Sequence, residues 1–512
     1  MKNILISVYD KTGLDQLVPY LEQENYTIHS TGGTFNYLSS LLQAKNRLKS
    51  VSDYTQYPEI CDGRVKTLHP KIFGGLLGIR ENQSHVADIQ SIQGIMFDAI
   101  VVNLYPFEQT LQKTSEESEL LENIDIGGHT LIRAGIKNYK YVSVLTNPAQ
   151  YDLYIKNEIS NQQLASEAMQ YVTKYDMAIH NWFTPDNEAV YYQNRSNVKY
   201  GLNPYMTPCY TYEKDNKPPY EILNGNAGYI NLLDINNAIK LVLETKKLLL
   251  LDCCASFKHN SPAGVALNIR LSPIEQVYFD TKEINTPATN FMVTRDVDPK
   301  SSFGDIIGYS GRVDKSMAEQ IKKCVSDGIV AYDYTPEALE ILKQKKKGNY
   351  LIVKQQKIIY EKEFRDVNGV TLVQPTNDSE FIYPNTDIPI DIQNDMTLGY
   401  TTLKYTQSNS VCFVLEGRVI GIGAGQQNRV DCVKIAGEKA KQWMKKHGRN
   451  TGNLVLISDA FFPFADNIDV ANEYGVKYIL QPGGSIRDEE IHEACKKYDI
   501  TMVLSGKRIF TH

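Results

Sequence analysis

Short apolar runs alternate with amphipathic segments in the first part of the chain. Residues 4–8, 26–30, 98–103 and 141–145 are apolar runs of strand length, and residues 14–24 have the spacing of a helix. Strands that alternate with helices are typical of a parallel sheet covered by helices. Ligands of such sheets bind beyond the carboxyl ends of the strands, so we expect functional residues in the loops there.

A glycine-containing segment follows the second predicted strand. Thr31-Gly32-Gly33-Thr34 predicts a tight loop before a helix at 35–42. Glycines let backbone N–H groups approach a bound group closely, and the start of a helix favours an anion. The segment therefore predicts a phosphate cradle, although T-G-G-T alone is also compatible with an ordinary turn.

Charged and phenolic side chains occupy the other loops of this region. Between the second and third predicted strands, alternation along an extended G-R-V-K segment would put Arg64 and Lys66 on one side. Tyr105 follows the third strand, and Asp125 precedes a predicted helix that runs to Lys137. Convergence of these groups predicts acid-base chemistry, while the plainer alternatives are an N-cap for Asp125 and a surface lysine for Lys137.

A Lys-His pair, Lys258-His259, stands in the middle of the chain. It follows an apolar run at 248–251 and precedes a Ser-Pro-Ala-Gly segment, 261–264, that we expect to end regular structure. Imidazole exchanges protons near neutral pH, and an ammonium group can stabilise a developing oxyanion. The pair fits acyl transfer onto a weakly nucleophilic amine, and its alternative is a solvated loop.

Length and composition limit the classes of protein. A chain of 512 residues is too long to fold around a single hydrophobic core, so its length predicts at least two domains. A content of 42% hydrophobic and 22% charged residues is typical of a globular protein. The net charge of −6 argues against a general nucleic-acid binder. The eight cysteines form no C-x-x-C pair, and the apolar start is too short for a signal peptide or a membrane span, so we expect a cytoplasmic protein.

Five ordered motifs in the first part resemble the inosine monophosphate cyclohydrolase domain of the bifunctional purine biosynthesis proteins. They are S-V-x-D-K-T-G-L from Ser7, T-G-G-T from Thr31, G-R-V-K-T-L-H-P from Gly63, N-L-Y-P-F from Asn103 and I-D-I-G-G-x-T-L-I-R-A from Ile124. The resemblance implies an α/β fold like methylglyoxal synthase. It also implies a metal-free ring closure that expels water from 5-formamidoimidazole-4-carboxamide ribotide.

The resemblance assigns roles to residues of these motifs. Those implied to hold the phosphate and ribose are Ser7, Lys11, Thr31, Gly32, Gly33 and Thr34. Those implied near the reacting amide are Arg64, Lys66 and Thr67. Those implied as catalytic are Lys66, Tyr105, Asp125 and Lys137. Two positions depart from the family pattern, because Tyr9 replaces a small residue and His129 interrupts the motif after Gly128.

The remainder resembles the 5-aminoimidazole-4-carboxamide ribotide transformylase of the same family. Its entry motif is K-Y-G-L-N-P from Lys199, where the family has R-Y-G-x-N-P, and Tyr205-Met206 replaces His-Gln. We therefore predict a cyclohydrolase domain at 1–197 and a formyltransferase domain at 198–512. The resemblance implies two related cytidine-deaminase-like halves without zinc, and sites formed at a homodimer interface.

Roles in this second domain are also implied by the resemblance. His259 would manage the proton of the attacking amine, Lys258 would stabilise the oxyanion, and Asn231 would orient both reactants. The residues implied to bind the nucleotide or 10-formyltetrahydrofolate are Lys199, Tyr200, Gly304, Asp327, Asn409, Arg429, Phe461 and Arg508. A structural potassium ion is implied near Thr406, Ser408, Ser410 and Asp459.

The leading hypothesis is a bifunctional enzyme that transfers a formyl group to a ribotide amine and then closes the purine ring. Its substrates would be small molecules, with neither nucleic acid nor membrane as partner. One alternative is a nucleotide-sensing protein that lost catalysis, and another is a cyclohydrolase with an altered formyl donor.

The glycines from Gly421 to Gly425 follow a predicted hairpin, which argues against a dinucleotide site. No internal repeat is evident in the sequence.

Overall fold

The computed structural model describes residues 2–214, 219–358, 362–381, 383 and 387–512. The chain divides into two compact units, 1–191 and 192–512, and each is described by itself. Every helix among the described residues is too short or too polar to cross a lipid bilayer.

The first unit contains a five-stranded, fully parallel sheet in the order β3-β2-β1-β4-β5. Its strands are β1 Lys2–Val8, β2 Tyr26–Ser30, β3 Leu48–Ser50, β4 Ala99–Asn103 and β5 Ser143–Leu145. The predicted parallel sheet is confirmed, and the only strand of this sheet that the pattern missed is β3. Its three residues are too few to show a periodicity.

Ten helices of the described chain surround this sheet. They are α1 Leu14–Gln23, α2 Gly32–Leu41, α3 Val51–Thr55, α4 Pro70–Leu77, α5 Gln83–Ser91, α6 Phe107–Leu111, α7 Glu117–Glu122, α8 Gly127–Lys137, α9 Ala149–Ile155 and α10 Asn161–Phe183. Successive residues of β1 enter different cores, because Leu5 packs with residues of α8 and α10 whereas Ile4 and Ile6 pack with residues of α1. The sheet is thus covered on both faces, and its strand ends remain accessible.

The second unit is built on an eleven-stranded mixed sheet in the order β20-β19-β18-β16-β17-β10-β9-β11-β12-β13-β8. Its strands are β8 Glu221–Asn224, β9 Cys253–Lys258, β10 Ser261–Leu267, β11 Asp305–Val313, β12 Ser326–Tyr334, β13 Leu351–Lys354, β16 Val411–Leu415, β17 Arg418–Gly423, β18 Val455–Ser458, β19 Tyr478–Gln481 and β20 Thr501–Leu504. Two separate antiparallel ribbons pair β6 Gln193–Val198 with β7 Cys209–Glu213 and β14 Lys362–Val367 with β15 Val370–Pro375.

The helices of the second unit complete two related halves. They are α11 Tyr229–Leu249, α12 Pro273–Tyr278, α13 Pro287–Val297, α14 Lys315–Lys323, α15 Pro336–Lys343, α16 Ile390–Lys404, α17 Arg429–His447, α18 Asp466–Glu473 and α19 Asp488–Lys497. A long helix and an antiparallel hairpin open each half, namely α11 with β9–β10 and α16 with β16–β17. Three later strands then extend the sheet on each side, β11 to β13 beyond β9 and β18 to β20 beyond β16, and β8 adds a fourth strand beyond β13. The predicted pair of related halves is confirmed.

The two halves meet where β10 pairs antiparallel with β17 through Val265 and Val419. Since each hairpin is also antiparallel, β9 and β16 run in opposite directions. The carboxyl end of β9 and the amino end of β16 therefore lie on the same side of the sheet, at the edge formed by the strand ends. This internal repeat is visible in the element order, although it is not evident in the residue pattern of the two halves.

The Ser-Pro-Ala-Gly segment does not end regular structure, so that expectation is wrong. It begins strand β10, with a bulge between Pro262 and Gly264 that accommodates the proline. A Cβ atom on Gly264 would lie 2.4 Å from the Thr294 carbonyl oxygen, so glycine is required there for helix α13 to pack closely. The predicted hairpin at β16–β17 is confirmed.

Candidate active sites in the two units

A large cavity in the first unit lies beyond the carboxyl ends of β1, β2 and β4. Its volume is about 1640 Å³. Eleven of the predicted residues line it: Ser7, Lys11, Thr31, Gly32, Gly33, Thr34, Arg64, Lys66, Thr67, Tyr105 and Asp125. Sequence motifs separated by many residues therefore converge on one space, as the parallel sheet requires.

One end of this cavity is suited to an anion. Helix α2 begins at Gly32, so the two glycines belong to its first turn. We had expected them to form a loop before the helix. The N-cap residue Thr31 makes no side-chain capping bond, which leaves the first N–H groups available to a ligand. The Lys66 ammonium nitrogen lies 3.6 Å from the position a Cβ atom would take on Gly32, and Gly33 faces open space.

Two hydroxyl groups beside this helix start have different surroundings. Ser7 Oγ lies 3.2 Å from Thr31 Oγ1 at the cavity wall. Thr34 Oγ1 donates to the Val8 carbonyl at 2.9 Å and accepts from the Val8 N–H at 3.2 Å. Thr34 therefore fixes the strand end, and its hydroxyl is already engaged within the protein.

The loop with Arg64 and Lys66 is a series of turns, so the expected strand alternation is wrong. Cys61, Asp62 and Gly63 all have positive φ, which breaks an extended backbone. Arg64 forms an exposed ion pair with Glu122, and Lys66 Nζ lies 3.6 Å from Glu59 Oε2. Exposed pairs of this kind contribute little to stability, so an anionic ligand can compete for both cations.

Asp125 combines the two functions that the sequence left open. It lines the cavity and also accepts the Gly128 N–H at 2.6 Å, at the start of α8. Burial raises the pKa of the Asp125 carboxyl above its usual value, although backbone hydrogen bonds from Gly128 and Tyr105 and the charge of Lys66 oppose the shift. A carboxyl group of this kind is suited to proton exchange at the cavity wall.

Tyr105 stands beside the unusual Tyr9 at the cavity. Their ring centroids are 5.9 Å apart, and the rings meet edge to face. The other departure from the family pattern, His129, is directed to α10, where its Nε2 lies 2.9 Å from Asp176. Tyr9 therefore gives Tyr105 an aromatic neighbour, whereas His129 forms an ion pair whose residues do not line the cavity.

Two tyrosines of α10 line the cavity and were missed by sequence reasoning. The Tyr171 hydroxyl accepts the Leu104 N–H at 2.9 Å, next to Tyr105. The Tyr175 hydroxyl accepts the Asp125 N–H at 2.8 Å and donates to the Asn123 carbonyl at 2.7 Å. Their spacing of four residues on one helix face was the available signal.

Lys137 is not brought to the cavity with the other predicted residues of this unit. It is the last residue of α8, is exposed, and is not among the residues that line the cavity. The helix begins at Gly127 beside Asp125, and a rise of about 1.5 Å per residue separates its two ends by about 15 Å. The plainer alternative, a surface lysine, describes Lys137.

In the second unit, Lys258 and His259 lie at the turn between β9 and β10. Lys258 is the last residue of β9, and its Nζ donates to the Phe303 carbonyl at 2.7 Å. His259 is exposed and adopts a φ of 56°. The neighbouring Gly304 has a φ of 74°, and its N–H donates to the Val325 carbonyl at 3.0 Å.

Two further predicted residues are already paired within the protein. Asn231 Oδ1 accepts the Gly228 N–H at 3.1 Å and so caps α11. Asp327 Oδ1 lies 2.6 Å from the ammonium group of Lys346. A turn after α15 directs the exposed Lys346 to β12. A ligand at Asp327 would also meet Lys346.

The second half contributes a cluster at the same sheet edge as Lys258. Arg429 is buried, forms an ion pair with Asp459, and donates to Asn409 Oδ1 at 2.7 Å. Arg508 is exposed and lies 4.6 Å from the Phe510 ring centroid, with Arg429 near the same ring. The Gln407 N–H donates to Ser261 Oγ at 3.3 Å, which joins this cluster to the β9–β10 hairpin.

The remaining predicted residues are less closely connected. Phe461 follows β18 and is 40% exposed, so it can form an apolar wall. Lys199 Nζ lies 5.6 Å from the ring centroid of its neighbour Tyr200. Among the contacts of the described residues, none joins this pair to the β9–β10 hairpin. The hydrogen bonds and ring contacts of the described residues therefore give no direct link from Lys199 and Tyr200 to the second site.

Comparison with known proteins identifies the family. The model of the AICARFT/IMPCHase bienzyme matches residues 135–439, and the MGS-like domain matches residues 13–130. The bifunctional purine biosynthesis protein PurH of Prochlorococcus marinus (strain MIT 9312) is 37% identical over 99% of both chains. The chain belongs to the AICARFT/IMPCHase bienzyme family. Its activities are those of a formyltransferase and an inosine monophosphate cyclohydrolase in purine biosynthesis.

Other relatives agree with this identification. The PurH proteins of Clostridium botulinum (strain 657 / Type Ba4) and Clostridium perfringens (strain SM101 / Type A) are 37% and 36% identical, each over 100% of both chains. The crystal structure of ForH matches 37% of this chain and 100% of its own chain, at 22% identity and with a TM-score of 0.32. Membership in the bienzyme family supports the leading hypothesis and neither of the alternatives that the sequence left open.

Proposed function

We propose that the front domain, residues 1–197, closes the purine ring, and that residues 198–512 transfer the formyl group from 10-formyltetrahydrofolate. The observation that carries the first assignment is the cavity that unites the α2 start with Asp125 and Tyr105. In the second domain, the Lys258-His259 turn shares one edge with Asn409 and its neighbours.

For ring closure, the ribotide phosphate binds at the N–H groups of Gly32 and Gly33, with Lys66 as its counter-charge. The carboxamide nitrogen then attacks the formyl carbon, and its proton passes to the Asp125 carboxylate. Tyr105 supports the negative charge on the formyl oxygen, and Asp125 returns the proton to this oxygen, which becomes a hydroxyl group. Asp125 then accepts the proton of the former formamide nitrogen and passes it to the hydroxyl, so that water leaves as the ring carbon–nitrogen double bond forms.

For formyl transfer, the ribotide amine attacks the formyl carbon of the folate while His259 removes an amine proton. Lys258 stabilises the oxyanion of the tetrahedral intermediate, in place of its contact with the Phe303 carbonyl. Collapse breaks the bond to the folate nitrogen, which takes the proton. Asp327 with Lys346 and the apolar Phe461 hold the pterin, and Arg429 and Arg508 face the ribotide.

We infer a homodimer in the cytoplasm. His259, Phe303 and Arg508 are exposed in the described chain although they belong to the proposed site. A second copy over this edge would exclude water from the transfer step, which needs a low-dielectric environment. Sedimentation at several protein concentrations would test this, and a monomer at assay concentrations would contradict it.

The residues implied for a potassium ion come together but do not fit one in this arrangement. Asp459 accepts from Ser408 Oγ at 2.6 Å and Ser410 Oγ at 3.0 Å, and it pairs with Arg429. Thr406 Oγ1 donates to the Thr402 carbonyl at 2.7 Å. Since hydroxyl donors and a guanidinium group already satisfy the carboxylate, we derive no step through potassium.

Two single variants of the full chain test the assignment of the activities. His259→Ala should form little formamido ribotide from the aminoimidazole ribotide and 10-formyltetrahydrofolate, yet close the ring of added formamido ribotide at the parent rate. Lys66→Ala should do the reverse and accumulate the formamido intermediate. Both rates are measured by chromatography of the nucleotides. Unchanged formyl transfer in His259→Ala, or undiminished inosine monophosphate output in Lys66→Ala, would contradict the assignment.

A further inference from the structure

The turn that carries His259 is held by the buried carboxylate of Asp234. The Asn260 N–H donates to Asp234 Oδ1 at 2.7 Å, and Asp234 is 5% exposed. His259 and Asn260 have φ values of 56° and 59°, in the left-handed region that disfavours residues other than glycine. The conformation of this turn therefore depends on contacts that hold it.

These contacts come from a rigid helix. Helix α11 packs against β9 and β11, and a Cβ atom on Gly308 would lie 3.0 Å from Ala238. One turn of this helix supplies both tethers, because Asn237 Nδ2 also donates to Asn260 Oδ1 at 2.9 Å. A side chain held this way transmits the position of the helix to the turn, and thus to the imidazole.

The second half of the repeat contains the same contact without the imidazole. Asp395 is the sixth residue of α16, as Asp234 is the sixth of α11. Its Oδ1 accepts the Gly417 N–H at 2.7 Å, in a turn formed by Glu416 and Gly417 with φ values of 50° and 72°. This turn lies at the opposite edge of the sheet, where Glu416 pairs with Arg449. Asp395 is therefore a matched control within the same chain.

We propose that Asp234 is a positioning residue for formyl transfer, and that its carboxylate fixes the His259–Asn260 turn so that the imidazole meets the attacking amine. This inference rests on the proposed role of His259. Three titratable groups lie near the carboxylate, namely His259, Asp305 and Asp327. Burial raises the pKa of Asp234 to about 6, although the hydrogen bond from the Asn260 N–H opposes the shift, so near neutral pH the group is mainly an ionised acceptor.

The test compares Asp234→Ala, Asp234→Asn, Asp395→Ala and His259→Ala in the full-length chain. Asp234→Ala should lower kcat for formyl transfer about 100-fold, because misplacement of a catalytic group has effects of this size, with KM values for both substrates little changed. Asp234→Asn retains an acceptor oxygen and should recover kcat to within about fivefold of the parent. Asp395→Ala should lower the melting temperature as much as Asp234→Ala but leave kcat within about twofold.

Three results would overturn the inference. Equal losses of kcat in Asp234→Ala and Asp395→Ala would show a merely structural effect. Parent activity in Asp234→Ala, or an Asp234→Asn variant as inactive as Asp234→Ala, would exclude positioning through the Asn260 N–H. His259→Ala separates this failure from that of the proposed function, because full formyl transfer without the imidazole would remove the premise itself. Ring closure of added formamido ribotide, measured in each preparation, should stay at the parent rate.

Discussion

Asp125 is the residue whose surroundings bear most directly on ring closure. Its carboxyl group is buried at the cavity wall, and burial raises its pKa while the nearby Lys66 charge limits the shift. A carboxyl in this environment can accept a proton in one step and return it in the next. The residue type and its place just before α8 were predictable from the sequence, but its depth in the cavity was not.

Asp125→Asn should lower the rate of ring closure by at least about 100-fold, since general acid-base catalysis contributes 10²–10⁴-fold. Because the ionised form is the base, activity of the parent should fall with acid through a pKa above the usual aspartate value of 3.8. The measurement is the conversion of added formamido ribotide over a range of pH. Formyl transfer by the same variant is the control, and parent-like closure would contradict the role.

At the scale of elements, α10 supports the catalytic loops of the first unit from behind. Tyr171 and Tyr175 bind the backbones beside Tyr105 and Asp125. The helix itself was predictable from its apolar face, but its register against the loops depends on packing with α8, which no local pattern encodes. The same limit applies to Lys137. Its motif is intact, but it lies at the far end of α8 and does not line the cavity.

Tyr175→Phe should lower the rate of ring closure about tenfold, because the loop of Asp125 loses both contacts to one hydroxyl group. Tyr26→Phe is the matched control. It removes a hydroxyl that lies 3.1 Å from the Tyr154 hydroxyl, and Tyr26 is not among the cavity-lining residues. Both variants should lose about 1 kcal/mol of unfolding free energy. A similar loss of activity in both variants would count against a specific support by Tyr175.

The turn held by Asp395 makes the second unit sensitive to pH. Burial raises the pKa of Asp395 from 3.8 to about 7, so the folded state keeps a proton that the unfolded state releases near pH 3.8. The contribution of this group to stability is therefore present at low pH and is lost as the pH rises from about 4 to about 7.

Asp395→Asn removes this titration while it keeps an acceptor for the Gly417 N–H. The unfolding free energy of the variant relative to the parent should therefore increase between about pH 4 and about pH 7. Denaturant titrations monitored by circular dichroism would measure it. A difference that is constant over this range, or that decreases, would contradict a raised pKa at Asp395.

At the scale of the whole molecule, the proposed assignment gives each of the two units one of the two chemistries. In the first, the ends of parallel strands gather motifs that the sequence order already indicated. In the second, the repeat turns β9 and β16 in opposite directions, and this brings Ser261 of one half to Gln407 of the other. The repeat was implied by the family resemblance and not by the residue pattern, because its halves share element order and one aspartate position but little sequence pattern.

A mixture of two variants tests the central claim that separate sites perform consecutive steps. Lys66→Ala and His259→Ala are each supplied with the aminoimidazole ribotide and 10-formyltetrahydrofolate, alone and mixed in equal amounts, and inosine monophosphate is measured over time. Each variant alone should produce little, whereas the mixture should produce it after a lag in which the formamido ribotide accumulates and is then consumed. A mixture as inactive as its components would contradict two independent sites, and so would full output from either variant alone.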